Sequence, residues 1–253
     1  MLTLNRAEKL NALNAELVTA LHRAIDVVAA DRACRAVVLT GAGAAFCAGL
    51  DLKAWDDRGP LDPVEDPLVA LDRQRQIAAL TTRIHALPHP VIAAVNGAAA
   101  GGGLALALAC DVRFAGTEAF FAASFIRAGY SGCDVGVSWL LPRIVGAGRA
   151  HEWMLTGRRF DAAEAERAGL LTQVVTAGSL IQTALDSAET IKLNPPASVS
   201  LTKQGMWLAL ETASLEATVE LENRQQVLLG MTQDAREARE AFLGKRQPVY
   251  QRR

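Results

Sequence analysis

Two short apolar runs each lead directly into a loop rich in glycine and alanine. Residues 36–40 (AVVLT) precede the loop at residues 41–50, and residues 91–95 (VIAAV) precede the loop at residues 96–103. Continuous apolar runs of this length are typical of strands buried on both faces of a parallel sheet. Because helices connect such strands, the pattern predicts an α/β fold. Ligands of α/β proteins gather at the carboxyl ends of the strands, so the two loops are candidate binding elements.

Strand and helix patterns alternate as far as about residue 175. A strand at residues 2–4 precedes a helix with Asn14 as its N-cap and an apolar stripe formed by Leu17, Leu21, Ile25 and Val28. Further elements are predicted as helices at residues 68–86 and 104–110 and as strands at residues 112–115, 119–122 and 170–175. Asp161 and Glu164 resemble a capping box that opens a short helix closing at Gly169.

The chain from about residue 179 is predicted to be helical. Asn194, Pro195 and Pro196 break it once, and Gly244 ends the last helix. The patterns therefore divide the chain into an α/β core at residues 1–193 and a helical region that occupies the remainder, residues 194–253.

Three surface features are predicted. The proline-rich and acidic residues 57–67 form a loop, and His85 and His89, on either side of a proline, lie at a turn. One helical stripe in the tail mixes apolar and polar side chains, which favours a subunit interface over a dry core: Leu215, Val219, Glu222 and Gln226.

Composition excludes several classes of function. The 26 basic and 27 acidic residues nearly cancel and form no basic cluster, which argues against nucleic-acid binding. The four cysteines form no CxxC pair and the chain has no HExxH motif, so no metal site is predicted. Unpaired thiols favour a reducing, cytoplasmic setting. No signal peptide is recognisable, and the longest apolar stretch is too short to cross a membrane.

The second glycine-rich loop ends in three glycines, Gly101 to Gly103, immediately before a buried helix. Glycine lets a ligand approach the backbone closely, and the first N–H groups of a helix have no intrahelical acceptors. Such an end suits an anion or a developing oxyanion, with a backbone N–H near Leu50 as a second donor. A flexible or tightly packed turn is the alternative. A dinucleotide fingerprint is disfavoured because Phe46 replaces its third glycine.

At these loops the sequence resembles the enoyl-CoA hydratase/isomerase (crotonase) superfamily. The similarity extends in order along nearly the whole chain, through residues 4–13, 46–53, 90–111, 141–146, 155–162 and 234–249. It implies a spiral of ββα repeats and a C-terminal helical trimerisation region, assembled as homo-trimers or dimers of trimers. It also implies an acyl-CoA substrate, with coenzyme A present only as part of the thioester and with no permanently bound cofactor.

The resemblance assigns roles by motif position. It implies that the backbone N–H groups of Leu50 and Gly102 form the oxyanion hole for a thioester enolate. It places seven residues beside the CoA moiety, with Lys9 near the phosphates: Lys9, Leu10, Ala12, Ala48, Asp51, Leu52 and Gly101.

Two glutamates that hydratases of this superfamily carry are absent. Their positions match Ala105 and either Phe125 or Ile126. Hydration needs a group that activates water and a group that delivers a proton, and neither alanine nor an apolar side chain can do this. The resemblance therefore implies an enzyme of the hydratase/isomerase type in which double-bond isomerisation is favoured over hydration.

Asp134 is the candidate acid/base, because some superfamily members place a working aspartate in this segment. A cap on the following helix is the alternative for this side chain. Cys47 and Cys133 flank the proposed pocket and are expected to be small buried residues. For the whole chain, the alternative to an enzyme is a non-catalytic acyl-CoA-binding or assembly protein.

Overall fold

The computed structural model describes residues 1–56 and 67–251, so the loop predicted at residues 57–67 lies, except for its last residue, outside the described residues. The described strands are β1 (Leu2–Leu4), β2 (Val37–Gly41), β3 (Ala45–Cys47), β4 (Val91–Val95), β5 (Ala98–Ala100), β6 (Val112–Gly116), β7 (Phe120–Ala122), β8 (Arg159–Asp161) and β9 (Gln173–Val175).

Helices follow the strands and then fill the C-terminal region. The first seven described helices are α1 (Ala15–Ala30), α2 (Leu52–Asp56), α3 (Pro67–Ala86), α4 (Gly102–Ala109), α5 (Val137–Val145), α6 (Ala147–Thr156) and α7 (Ala162–Arg167). The last four are α8 (Leu180–Lys192), α9 (Pro196–Glu211), α10 (Leu215–Gly230) and α11 (Gln233–Leu243).

Two sheets are built by strands that alternate along the chain. In the described chain, one sheet is wholly parallel with the order β1-β2-β4-β6-β9, and the other has the order β3-β5-β7-β8 with only β7 and β8 antiparallel. Three times, a strand of the larger sheet is followed by one of the smaller sheet and then by a helix: β2 with β3, β4 with β5, and β6 with β7. The predicted spiral of ββα repeats is confirmed.

The larger sheet is buried on both faces, which explains its uninterrupted apolar runs. Alternate side chains of a strand point to opposite faces. Val38 and Ile92 therefore pack under α8 beside Leu180 and Ala184. The residues next to them in the strands, such as Val37 and Val91, face the main core. Helix α1 is capped as predicted, because the Asn14 side chain accepts the Leu17 N–H.

Several predicted boundaries were wrong. The loops at 41–50 and 96–103 contain the short strands β3 and β5, whose alanines have low strand propensity. The last strand begins at Gln173 instead of 170, and the helical tail has further breaks at residues 212–214 and 231–232. His89 is buried at 9% exposure and His85 is half-buried against Trp207, so they do not form an exposed turn.

A buried ion pair joins the C-terminal region to the core. Lys203 on α9 lies 2.9 Å from an Asp111 carboxylate oxygen, and their side chains are only 5% and 4% exposed. Asp111 also accepts the Trp207 indole N–H at 2.8 Å and the Val91 backbone N–H at 2.7 Å. Asp111, just before β6, thus joins Lys203 and Trp207 on α9 to Val91 at the start of β4.

Helix α10 buries none of its side chains. Of its predicted interface stripe, Leu215 is 74% exposed and Val219 is 41% exposed. Within the described residues, no helix combines the length and the apolar character that a membrane crossing requires.

Candidate active site

Two glycine turns from different loops lie against each other. Gly49 has φ +102° and Gly101 has φ +50°, values that favour glycine over residues with a side chain. A Cβ atom on Gly49 would lie 2.9 Å from the Ala100 carbonyl oxygen and 3.6 Å from the Gly102 nitrogen. The loop after β3 therefore touches the junction between β5 and α4, and a larger residue at Gly49 would separate them.

The Leu50 N–H is directed away from the segment that holds it. Leu13 donates its N–H to the Gly49 oxygen at 2.7 Å and accepts the Asp51 N–H at 3.0 Å, which makes a parallel bridge opposite Leu50. Such a bridge uses the groups on either side of the central residue, so the N–H of Leu50 points to the other side. It has no acceptor among residues 1–56 and 67–251.

The Gly102 N–H is the first of helix α4. It belongs to the turn whose N–H groups lack intrahelical acceptors, and it has none elsewhere in the described chain. Gly103 lets α4 pack directly against β3, because a Cβ at this position would lie 2.0 Å from the Cys47 carbonyl oxygen. Close packing of α4 on β3 thus places the start of the helix next to the Leu50 loop.

A cavity of about 180 Å³ brings together the three predicted catalytic residues, Leu50, Gly102 and Asp134. Its polar side chains belong to Asp134, Gln74, Ser124 and Tyr130, and the remaining lining is apolar or glycine: Leu13, Ala48, Gly49, Leu52, Ile77, Gly101, Phe125, Ala128 and Val135. Among the described lining residues, Asp134 carries the only carboxylate.

Asp134 does not cap helix α5. The N-cap of α5 is Gly136, which makes no side-chain hydrogen bond, and Asp134 lies two residues earlier. One carboxylate oxygen of Asp134, Oδ1, instead accepts the Val135 N–H at 2.8 Å and the Gln74 side-chain N–H at 2.7 Å. The structure therefore favours a side chain held at the cavity over the helix-cap alternative.

The predicted CoA-binding residues fall into two groups. Ala48, Leu52 and Gly101 line the cavity, whereas Lys9, Leu10, Ala12 and Asp51 lie outside it. Lys9 and Leu10 are exposed, and the Leu10 carbonyl accepts the Ala48 N–H at 3.0 Å, so their segment borders the cavity wall.

The Asp51 side chain is held on the protein itself. Its carboxylate receives the Arg6 guanidinium at 2.6 Å, and this hydrogen bond lowers the pKa of the carboxyl below its ordinary value. Arg6 also donates to the Ala12 carbonyl at 3.0 Å. This pair therefore ties the loop after Leu50 to the N-terminal segment.

The positions matched to the hydratase glutamates differ in their surroundings. Ala105 is buried inside α4 and does not line the cavity, whereas Phe125 does. Ile126 is 39% exposed and is also absent from the lining. The described cavity therefore offers Asp134, and no second carboxylate, for proton transfer.

The two cysteines near the cavity differ. Cys47 is buried as predicted, and burial raises the pKa of its thiol to about 12, so it carries no reactive thiolate at neutral pH. Cys133 is exposed, so the prediction of a buried thiol was wrong there. Its neighbours Ser131 and Asp134 belong to a turn at the surface, which a local apolar pattern does not reveal.

Sequence reasoning missed Gln74 and Asn11. Gln74 lies on α3, 60 residues before the aspartate it contacts, and no local signal marks it. Asn11 is fully buried and donates to the Ala42 and Ala45 carbonyls, while its oxygen accepts the Arg6 N–H. Its φ of +55° fits asparagine, which is one of the few residues that tolerate this region, but the angle is visible only in the structure.

A family model described as enoyl-CoA hydratase/isomerase matches residues 1–253. The chain belongs to the enoyl-CoA hydratase/isomerase family. A Mycobacterium tuberculosis protein named "Probable enoyl-CoA hydratase EchA12" is 38% identical over 250 residues, which are 98% of this chain and 88% of that protein. The 1,2-epoxyphenylacetyl-CoA isomerase of Escherichia coli is 39% identical, over 98% of this chain and 93% of the isomerase.

A solved structure supports the same assignment. The crystal structure of enoyl-CoA hydratase from Bacillus anthracis superposes with a TM-score of 0.92 at 34% identity and covers 99% of this chain and 94% of that one. The protein is thus an enzyme of the enoyl-CoA hydratase/isomerase family, which acts on CoA thioesters, and its α/β fold with C-terminal helices is that of its relatives.

Proposed function

We propose that this enoyl-CoA hydratase/isomerase family member shifts a double bond in an acyl-CoA. The Leu50 and Gly102 N–H groups hold the thioester oxygen, and Asp134 transfers the proton. The observation that carries the proposal is one cavity bordered by two N–H groups, which have no acceptors among the described residues, and by one carboxylate.

The reaction begins with a 3-enoyl thioester whose carbonyl oxygen accepts both N–H groups. The Asp134 carboxylate removes a proton from C2, and the C–H electron pair forms a C1–C2 double bond while the carbonyl π pair moves onto oxygen. When the oxygen returns its pair, C2 and C3 become doubly bonded and C4 takes the proton back from Asp134. No water or other reactant enters, and Asp134 ends as it began.

The two backbone donors stabilise the charge that develops on the thioester oxygen. Loss of one such donor costs about 3 kcal/mol, or 100- to 1,000-fold in rate, where it has been measured. A donor from the backbone does not depend on the Leu50 side chain, so the loop geometry set by Gly49 matters more than the leucine.

Hydration is disfavoured by the same cavity. Water must be activated at one carbon while a proton is delivered to the next, which needs two groups or one group used twice on a bound water. Ala105 is buried in α4 and Phe125 lines the cavity, so Asp134 has no second carboxylate beside it among the described lining residues.

The remaining assignments belong to the same proposal. Seven residues contact the CoA moiety, inside or beside the cavity: Lys9, Leu10, Ala12, Ala48, Asp51, Leu52 and Gly101. The division into a core at 1–193 and a helical region at 194–253, assembled as trimers or dimers of trimers, is supported by exposed apolar side chains on α10 and at the end of α11, among them Leu215 and Leu243. The cytoplasmic setting remains a prediction.

Turnover of a 3-enoyl-CoA and of crotonyl-CoA, followed spectrophotometrically, tests the proposal. We expect isomerisation of the first to exceed hydration of the second, and Asp134→Asn to abolish isomerisation while acyl-CoA affinity is kept. Asp186→Asn is the matched control, because Asp186 also accepts a glutamine N–H at 2.7 Å but lies exposed on α8. Full activity of Asp134→Asn would refute the proposal.

The second candidate is a non-catalytic acyl-CoA-binding protein, which the apolar residues at both glutamate positions favour. It keeps the N–H groups of Leu50 and Gly102 for binding and performs no proton transfer. Tight binding of acyl-CoA with no turnover of any enoyl thioester, in the wild type as in Asp134→Asn, would establish this alternative.

A further inference from the structure

The two oxygens of Asp134 have different surroundings. Both donors, the Gln74 Nε2 at 2.7 Å and the Val135 backbone nitrogen at 2.8 Å, bind Oδ1. No residue in the ranges 1–56 and 67–251 donates to Oδ2. The two donors on Oδ1 restrict rotation of the carboxylate about its Cβ–Cγ bond. Oδ2 is therefore always the oxygen that faces a substrate.

The backbone at Asp134 is held in an unfavourable turn. Val135 has φ +39° and Gly136 has φ +88° with ψ 0°, and the Val137 N–H returns to the Asp134 carbonyl at 2.8 Å. This is the pattern of a type I′ turn, which favours glycine, asparagine or aspartate at the place of Val135. A β-branched residue is strained in this conformation and persists there only where surrounding contacts impose it.

Helix α3 supplies contacts that impose this turn. A Cβ on Gly136 would lie 3.2 Å from the Thr81 methyl carbon, and Val135 is buried in the core cluster that also contains Ile77. Gln74, Ile77 and Thr81 are spaced i, i+3 and i+7, so one face of α3 contacts both the turn and the Asp134 carboxylate.

We propose that Gln74 is a positioning residue, which binds Oδ1 of Asp134 so that Oδ2 is the atom that transfers the proton. This inference rests on the proposed function. An amide suits the role because it donates a hydrogen bond to the ionised carboxylate and cannot itself take the proton. One fixed oxygen must reach C2 and then C4, so freedom of the carboxylate to rotate lowers the rate of both transfers.

Gln74→Leu tests the inference, since it removes the donor and keeps a side chain of similar length. We expect kcat for a 3-enoyl-CoA to fall roughly 10- to 100-fold, with KM within about twofold of wild type, because the change misplaces the base and leaves the proposed oxyanion-hole and CoA contacts in place. Gln76→Leu is the control on the same helix, with an exposed side chain, and should retain wild-type kcat. Circular dichroism and thermal unfolding verify that each variant is folded.

A double variant shows whether Gln74 acts through Asp134. If it does, adding Gln74→Leu to Asp134→Asn leaves the residual rate unchanged, because the carboxylate it positions is already gone. If Asp134→Asn has no measurable rate, the single variant Gln74→Leu decides the question: a lower kcat with KM nearly unchanged supports the positioning role. Wild-type kcat in Gln74→Leu, or an equal further loss in the double variant, would overturn the inference.

The same variants separate this inference from the proposed function. Full turnover by Asp134→Asn contradicts the acid/base role itself. Loss of turnover by Asp134→Asn together with wild-type kcat in Gln74→Leu contradicts only the role given to Gln74.

Discussion

The attachment of the C-terminal helices can be tested at Asp111, whose removal leaves three buried donors without their acceptor. Asp111→Ala strips Lys203 of its counter-charge and leaves the N–H groups of Trp207 and Val91 unsatisfied. Lys203 keeps the Ile84 and His89 carbonyl oxygens as acceptors, at 3.4 and 3.1 Å. We therefore expect the free energy of unfolding to fall sharply.

The magnitude follows from burial of the pair. Breaking a buried ion pair by removing one partner costs about 3–5 kcal/mol, and each unsatisfied N–H about 1–3 kcal/mol where water cannot reach it. Allowing for partial access of water, we expect about 5 kcal/mol for Asp111→Ala. Lys203→Met should cost less, about 3 kcal/mol, because Asp111 then keeps two of its three donors.

Urea and thermal unfolding, followed by circular dichroism at equal protein concentrations, measure both variants. For a chain of this size, 5 kcal/mol corresponds to a decrease in Tm of roughly 10–20 °C. Lys192→Met is the control, because its partner Glu189 lies three residues earlier and both side chains are exposed; it should change stability by less than about 0.5 kcal/mol. A loss below about 1 kcal/mol in Asp111→Ala would refute the reasoning.

Two further predictions concern the candidate site. Gly49→Ala should lower kcat about 100-fold or more in steady-state kinetics. The φ of +102° and a carbonyl oxygen 2.9 Å from the added Cβ would force the loop, and with it the Leu50 N–H, to move. Gly148→Ala is the control and should leave kcat unchanged, because open space surrounds Gly148. A thiol reagent at pH 8 should label exposed Cys133 in the folded protein but Cys47 only after unfolding, because burial raises the pKa of Cys47 to about 12 and keeps its thiolate scarce. Equal labelling rates of the two cysteines in the folded protein, followed by peptide mass mapping, would contradict this.

Much of the larger sheet could be predicted from local patterns. The runs at 36–40 and 91–95 are apolar at every position except Thr40, because each strand is covered on both faces, and both runs lie in the observed strands β2 and β4 almost as predicted. The N-caps Asn14 and Asp161 were also recognisable, since each accepts a backbone N–H three residues later; the reciprocal half of the predicted capping box does not form, because the Glu164 carboxylate binds Arg158 and Trp153 instead.

The smaller sheet could not be predicted in this way. Strands β3 and β5 consist of three residues each and are mostly alanine, so they have neither the length nor the composition of a strand. They are extended because β3 pairs with β5 and β5 pairs with β7, and this pairing supplies their backbone hydrogen bonds. Such pairing joins residues more than 20 positions apart, and a local pattern does not contain it.

By itself, the sequence determined the α/β class, the two glycine loops and the absence of carboxylates at 105 and 125, because these depend on composition and spacing along the chain. Only the tertiary structure decided that Leu50 and Gly102 share a cavity with Asp134, and that Gln74 binds the carboxylate. It also decided the pairing of Lys203 with Asp111. These residues are 32 to 92 positions apart in the chain, and their geometry exists only when packing of the core brings the segments together.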